Sequence, residues 1–224
     1  YPYEYWQSTL WVLLTDRNAD NFMEIKNVLD NITPADGIIF MVYGPDPTYV
    51  GKTLSEIASL RGISNIEAFS ELLKESDKWQ KKHQRQGQSI MGKSMINNDI
   101  SEIMKWPHTN ISSDGFFEGH PRGYGAFPRF INHFVKGMSL MKMEEAIRHM
   151  TSLAATNMGI PDRGEIKVGN YADLVLFNPD TLKDNATLDD RQALSTGVEM
   201  VWVNGVLVLK DGQSTHNYPG QILK

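Results

Sequence analysis

Ile111-Ser112-Ser113-Asp114-Gly115, followed by Gly119-His120-Pro121-Arg122 and Gly125-Ala126-Phe127-Pro128-Arg129, is the stretch around which the chain is organised. Thr109 to Ser113 reads as a short strand. Asp114 stands where that strand should end, and Gly115 lets the backbone turn sharply there. A carboxylate at the carboxyl end of a strand, then a loop carrying a His and an Arg, then a helix, is a common way to build a site in an α/β protein. In isolation Ser113-Asp114-Gly115 is only a turn. The surrounding sequence decides between the two.

After the loop, Pro128 to Val135 reads as a helix. Lys142 to Asn157 is a clearer one, with Met143, Ala146, Ile147, Met150, Leu153 and Ala154 at helical spacing and Glu144 and Glu145 in its first turn. Before it, helices are expected over 18–29 (capped by Asn18 or Asp20), 53–60, 64–76 and 98–106. A buried strand is expected over 37–43, and a strand over 87–95 with Ser89, Met91 and Lys93 on alternate positions. From Gly159 the composition changes to glycine-punctuated short strands, 172–177 and 200–203, with Asn204-Gly205 as a hairpin signal. A domain boundary is therefore placed near Gly159. The alternation of strands and helices to about residue 155 argues for parallel βα units, and the tail for all-β structure. About three barrel-type strands precede residue 155, too few to close a barrel.

The 224 residues carry a net charge of -5, with 41% hydrophobic and 22% charged residues. That is an ordinary soluble composition, and it disfavours a nucleic-acid partner. The densest basic run, Lys78 to Arg85, reads as a solvated helix end. There are no cysteines, so disulfides and thiolate ligands are excluded from this chain. No apolar run is long enough for a membrane span, and no signal peptide opens the chain. The expectation is no membrane association and a cytoplasmic rather than exported protein. A start at Tyr1 instead of Met suggests a piece of a longer protein.

Ser113-Asp114-Gly115, with His120-Pro121-Arg122-x-Tyr124-Gly125-x-Phe127-Pro128-Arg129, resembles the late barrel segment of the N-acyl-D-amino-acid deacylases (D-aminoacylases) of the amidohydrolase superfamily. Glu144-Glu145-Ala146-Ile147-Arg148-x-Met150-Thr151-Ser152-Leu153 is similar to the same family. So are Asp162-Arg163-Gly164-x-Ile166-x-x-Gly169-x-x-Ala172-Asp173-Leu174-Val175 and Tyr1-Pro2-Tyr3 with Ser8-Thr9. The resemblance spans essentially the whole chain. It implies an α/β fold: the C-terminal part of a (β/α)8 TIM-type barrel, then the C-terminal part of a small β-sandwich domain. Residues 1–158 would be the late barrel segment, with a pocket-covering insertion over about 10–87. Residues 159–224 would be the C-terminal strands of the sandwich.

The resemblance also implies roles. Asp114 would be the general base and acid of a metal-dependent amidohydrolase that cleaves N-acyl-D-amino acids to a carboxylate and a D-amino acid. Arg122 would pair with the substrate carboxylate through its planar fork. Tyr1 and Ser8 would hydrogen-bond that carboxylate, although this chain carries one extra residue between them. His120 would orient the loop or hold Asp114 by a hydrogen bond. His83, His108, His133, His149 and His216 form no HxH or HxxxH pair and read as surface or satisfied histidines. The family's metal site draws on a His-x-His-type segment, a Cys and further histidines. None of these is present, so the Zn2+ ligands are expected upstream, in a missing N-terminal half that would be this chain's partner beside the small-molecule N-acyl amino acid. The alternatives are a cyclic-amide hydrolase of the hydantoinase or dihydroorotase type, and a non-catalytic relic or binding domain.

Overall fold

Two capping boxes start the longest helical run. Thr53 Oγ1 accepts from Glu56 N while Glu56 accepts from Thr53 N, and Ser64 and Glu67 repeat the exchange. Each satisfies amides that a helix start leaves open. They begin α2 (Leu54–Arg61) and α3 (Asn65–His83). A left-handed Gly62 ends α2. α3 runs through most of the basic stretch, with Lys81, Lys82 and His83 in its last turn, where the helix dipole favours cations. The preceding helix, α1 (Phe22–Asn31), is capped by Asn21. The expected caps Asn18 and Asp20 instead form a local turn, in which Asn18 Oδ1 accepts from Asp20 N.

This computed structural model describes residues 1–115 and 120–223; Gly119 of the motif lies outside them. The chain divides into two compact units, Glu4–Ile96 and Tyr1–Tyr3 with Asn97–Lys224. In the first, β1 (Tyr5–Ser8), β2 (Ile38–Tyr43) and β3 (Gln88–Lys93) form a sheet in the order β1-β3-β2. Both pairings are antiparallel, which corrects the expected parallel arrangement. The reason lies in the connection. β1 and β2 run the same way across α1, as a βα unit should, but two helices, α2 and α3, separate β2 from β3. A helical pair reverses the chain once more than a single crossover helix does, so β3 returns antiparallel and lies between the other two. Ile38, Phe40, Tyr43 and Ile90 pack against Ile25 and Val28 of α1, Leu54 and Ile57 of α2, and Phe69, Leu72 and Leu73 of α3. The expected 10–87 insertion falls within this unit.

The second unit contains α4 (Asn97–Lys105), α5 (Arg122–Arg129), a π-helical continuation (Phe130–Gly137), α6 (Met143–Met150) and α7 (Ser152–Asn157). Its strands are β4 (Leu174–Phe177), β5 (Val198–Val203), β6 (Val206–Lys210) and β7 (Gln213–Ser214), all antiparallel in that order. Asn204 (φ 49°) and Gly205 (φ 79°) make the two left-handed residues of the expected hairpin turn. Asp162-Arg163…Asp173 is a clasp on that hairpin. Arg163 pairs with Asp173, donates to Asn204 Oδ1 at 2.7 Å and lies 4.2 Å over the Tyr171 ring. Among the described residues no helix is long and apolar enough to cross a membrane.

The strand expected at Thr109–Ser113 does not form. The backbone there bonds to helices: Ile111 N donates to His149 O at 3.2 Å, and Pro107 O accepts from Arg148 Nη2 at 2.8 Å. The helix expected from Pro128 begins six residues earlier, at Arg122. Pro128 supplies no amide to the ladder, and the helix widens into its π-helical continuation just after it.

Candidate active site

Asp114 is held in the left-handed region, with φ 46°. Few side chains tolerate this conformation, and Asp is among them. The two serines before it build the turn: Ser112 Oγ accepts from Asp114 N and Ser113 Oγ from Gly115 N, each at 3.1 Å. The turn brings Asp114 against the start of α5. Arg122 Nε donates to Asp114 O at 2.8 Å, and Arg122 Nη2 pairs with Asp114 Oδ2 at 2.7 Å. The Arg122 side chain is only 10% exposed, whereas the Asp114 side chain is 62% exposed. Arg122 Nη1 is buried and has no hydrogen-bond partner among the described residues.

One face of α5 carries Arg122, Gly125, Ala126 and Arg129, at helical spacing. The Tyr1–Tyr3 segment lies along this face. The Arg122 guanidinium sits 4.3 Å from the Tyr1 ring centre and that of Arg129 4.8 Å from the Tyr3 ring centre. These are cation–π contacts. Arg129 Nε also donates to Pro2 O at 2.7 Å. Burial pushes the Tyr1 phenol up; the Arg122 charge opposes this and the Asp114 charge adds to it. His120 is buried, its Nδ1 accepts from Arg122 N at 3.0 Å, and its ring meets those of Tyr1 and Tyr3 edge-on. It therefore fixes the first turn of α5 from beneath the tyrosines.

Asp114, Arg122, Tyr1 and His120 thus come together in one unit. Ser8 belongs to the other, as the last residue of β1 opposite Ile90. Three further residues of the cluster escaped the sequence reading as site residues: Tyr3, Arg129 and Asp184. Tyr3 Oη donates to Asp184 Oδ2 at 2.7 Å. Tyr3 and Arg129 stood inside quoted motifs, but Asp184 lies in a loop with no motif to mark it. Of the remaining histidines, His149 is buried with Nε2 3.0 Å from Glu145 Oε1, while its Nδ1 is buried without a hydrogen-bond partner among the described residues, so the expected satisfied histidine is met at one ring nitrogen only.

A metal needs three or more convergent donors. Among the described residues no group of three His, Cys, Asp or Glu side chains is placed to hold one. Asp114 Oδ2 faces a cation already, in Arg122. The described residues therefore do not by themselves fit a metal centre.

Comparison with known proteins returns one family throughout. The profile of the amidohydrolase family matches residues 41–209. A D-aminoacylase of Alcaligenes xylosoxydans xylosoxydans is 31% identical over 197 residues, covering 87% of this chain and 38% of that protein. A crystal structure of D-aminoacylase, described as defining a novel subset of amidohydrolases, superposes with a TM-score of 0.76 at 30% identity, covering 97% of this chain and 40% of that one. An N-acyl-D-glutamate deacylase of Bordetella bronchiseptica, complexed with zinc and a phosphonate that mimics the tetrahedral intermediate, superposes with a TM-score of 0.71 at 28% identity, covering 96% and 40%. The chain spans about 40% of the length of these relatives.

Proposed function

The chain belongs to the amidohydrolase family, and from that premise we propose that it is the part of an N-acyl-D-amino-acid deacylase that carries the proton-transfer carboxylate and the substrate-carboxylate site. The observation that carries this reading is the Arg122–Asp114 pair, with Arg122 Nη1 buried and without a hydrogen-bond partner among the described residues. A buried cationic donor without a partner costs on the order of 1–3 kcal/mol or more, and the carboxylate of an N-acyl amino acid would satisfy it. Nε and Nη2 are engaged by Asp114, so the substrate contact falls to Nη1 together with the Tyr1 hydroxyl.

Asp114 is the proposed general base and acid. Its exposed carboxylate can take a proton from the attacking water and return it to the amide nitrogen as the C–N bond breaks, giving a carboxylate and a free D-amino acid. Arg122 fixes Asp114 relative to the bound substrate through its Nε and Nη2 contacts. Zinc is the proposed cofactor of the whole protein, after the zinc-bound deacylase relative. Its donors are assigned to the part of the relatives' length that this chain does not span. In architecture we infer a late barrel segment over 1–158, with an insertion over about 10–87, followed by sandwich strands over 159–224.

The test is turnover by the complete gene product on N-acetyl-D-amino acids, their L-enantiomers and hydantoins. Release of free D-amino acid with little L-turnover and no hydantoin opening is the expected result. Hydantoin ring opening would transfer the chain to the cyclic-amide branch, and no turnover on any of them would leave a relic.

A further inference from the structure

Asp184 lies between β4 and β5, far along the chain from the Asp114 motif, yet its carboxylate is seated against α5. Tyr3 Oη donates to Oδ2 at 2.7 Å, and Ala186 N donates to Oδ1 at 3.0 Å. The second bond fixes the carboxylate within its own loop. A Cβ on Gly125 would collide with this carboxylate and would lie 2.7 Å from Tyr3 Oη. Glycine is therefore required there for the Asp184–Tyr3 pair to reach the helix. The loop is tied to the same helical run at two more points: Ser195 Oγ donates to Tyr124 O at 2.8 Å, and Lys136 Nζ to Pro179 O at 2.7 Å. Leu182 and Ala186 are buried on either side of Asp184.

We propose that Asp184 is a positioning residue for the active site: by accepting the Tyr3 hydroxyl it pins the Tyr1–Tyr3 segment along α5, and so sets where Tyr1 lies under Arg122 and where His120 packs. The chain of contacts is continuous. Asp184 holds Tyr3, Arg129 holds the Pro2 carbonyl and covers Tyr3, His120 abuts both tyrosine rings, and His120 Nδ1 holds the amide of Arg122. Asp184 touches none of the groups assigned to substrate. Its effect reaches them only through Tyr3. The tail loop is thus part of the site's scaffold as well as a connection between two strands.

The inference rests on the deacylase reading for its kinetic test, and a second readout is independent of it. In the complete gene product, Asp184→Ala and Tyr3→Phe should each raise KM for an N-acetyl-D-amino acid about fivefold to tenfold, the worth of one hydrogen bond, with kcat little changed. The double variant should be no worse than either single one, since both remove the same bond. In Asp184→Asn the single oxygen can accept from Ala186 N while the amide nitrogen donates to the Tyr3 phenol oxygen, so the Tyr3 bond is kept and most of the affinity should be restored. The His120 ring resonances, read by NMR, should move in Asp184→Ala and Tyr3→Phe and stay in place in Asp184→Asn. Unchanged KM with unmoved His120 resonances overturns the proposal, as does a kcat loss at constant KM. An inactive wild-type protein would sink the deacylase reading alone, and the His120 resonances would still decide the positioning role. Should Asp184→Ala fail to fold, Tyr3→Phe, which removes a single oxygen, carries the same test.

Discussion

Asp114 combines a strained backbone with an exposed carboxylate, and the two can be separated by substitution. Asn tolerates φ near +46° as Asp does, so Asp114→Asn keeps the turn built by Ser112 and Ser113 while removing the ionisable group. If Asp114 moves the proton, kcat should fall by about 10²–10⁴ with the thermal midpoint nearly unchanged; a variant that retains most of its turnover would remove Asp114 from the chemistry. Arg122→Lys asks a different question. The guanidinium reaches the Asp114 carbonyl through Nε and its carboxylate through Nη2, and leaves Nη1 over. A single ammonium cannot reproduce that three-way division. The expected outcome is a rise in KM for substrates bearing a free carboxylate, with a much smaller effect on their methyl esters. An equal rise for acid and ester would show that Arg122 does not read the carboxylate.

At the scale of elements, the segment that carries Asp114 is held by α6 and α7: His149 O and Arg148 bond its backbone, and Asn157 Nδ2 donates to the Asn110 side chain, at Oδ1, at 2.9 Å. On α6, Glu145 gathers Arg148 and His149. Its carboxyl is held down to about 2, chiefly by the Arg148 guanidinium. A carboxylate with a depressed folded-state pKa contributes stability above its ordinary range and loses it as pH falls from about 4.5 toward 2. The thermal midpoint of Glu145→Gln should therefore lie slightly below that of the wild type at pH 6, with the gap closing by pH 2. A gap that persists at pH 2 would assign the loss to packing. In the other unit, Gly92 sits opposite Trp6, and a Cβ there would run into the indole. Gly92→Ala should cost about 1–3 kcal/mol in denaturant unfolding through overpacking; a neutral result would mean the Trp6 ring can move aside. The same elements show what is legible in sequence. The existence of α1 to α3 was readable because apolar spacing is a local signal, but α3 runs to His83, past the expected end at Ser76, because the polar, basic residues that follow carry no apolar face to read. The segment before Asp114 was misread because a strand is defined by its neighbours, and its neighbours turned out to be helix ends. α5 was read as starting too late because Gly123, Gly125 and Pro128 count as breakers locally, while Gly125 answers to Asp184 some sixty residues on.

At the scale of the whole chain, the site is assembled from three distant parts of the sequence: Tyr1 and Tyr3, the Asp114–Arg129 run, and Asp184. Asp114 and Arg122 were legible as candidates because both stand within one short stretch, but their pairing was not: the reading gave Arg122 to the substrate carboxylate and the hold on Asp114 to His120. The Tyr1 contact came only through resemblance, and Asp184 not at all, since nothing in a loop sequence states which side chain it will meet. The same reasoning bears on the metal. The described residues bring together pairs of candidate donors, such as Glu145 with His149, but no group of three. Two donors on a folded scaffold leave most of a zinc ion's coordination to water, which is far from the closed set that holds zinc tightly. Zinc titrated into this 224-residue chain by calorimetry should therefore give no stoichiometric high-affinity binding, while the complete gene product should bind it. Tight one-to-one binding by the chain alone would place a full donor set within it and overturn the assignment of the ligands to the rest of the protein. Weak binding by both would remove zinc from the proposed chemistry and leave Asp114 and Arg122 without the activated water that amide hydrolysis demands.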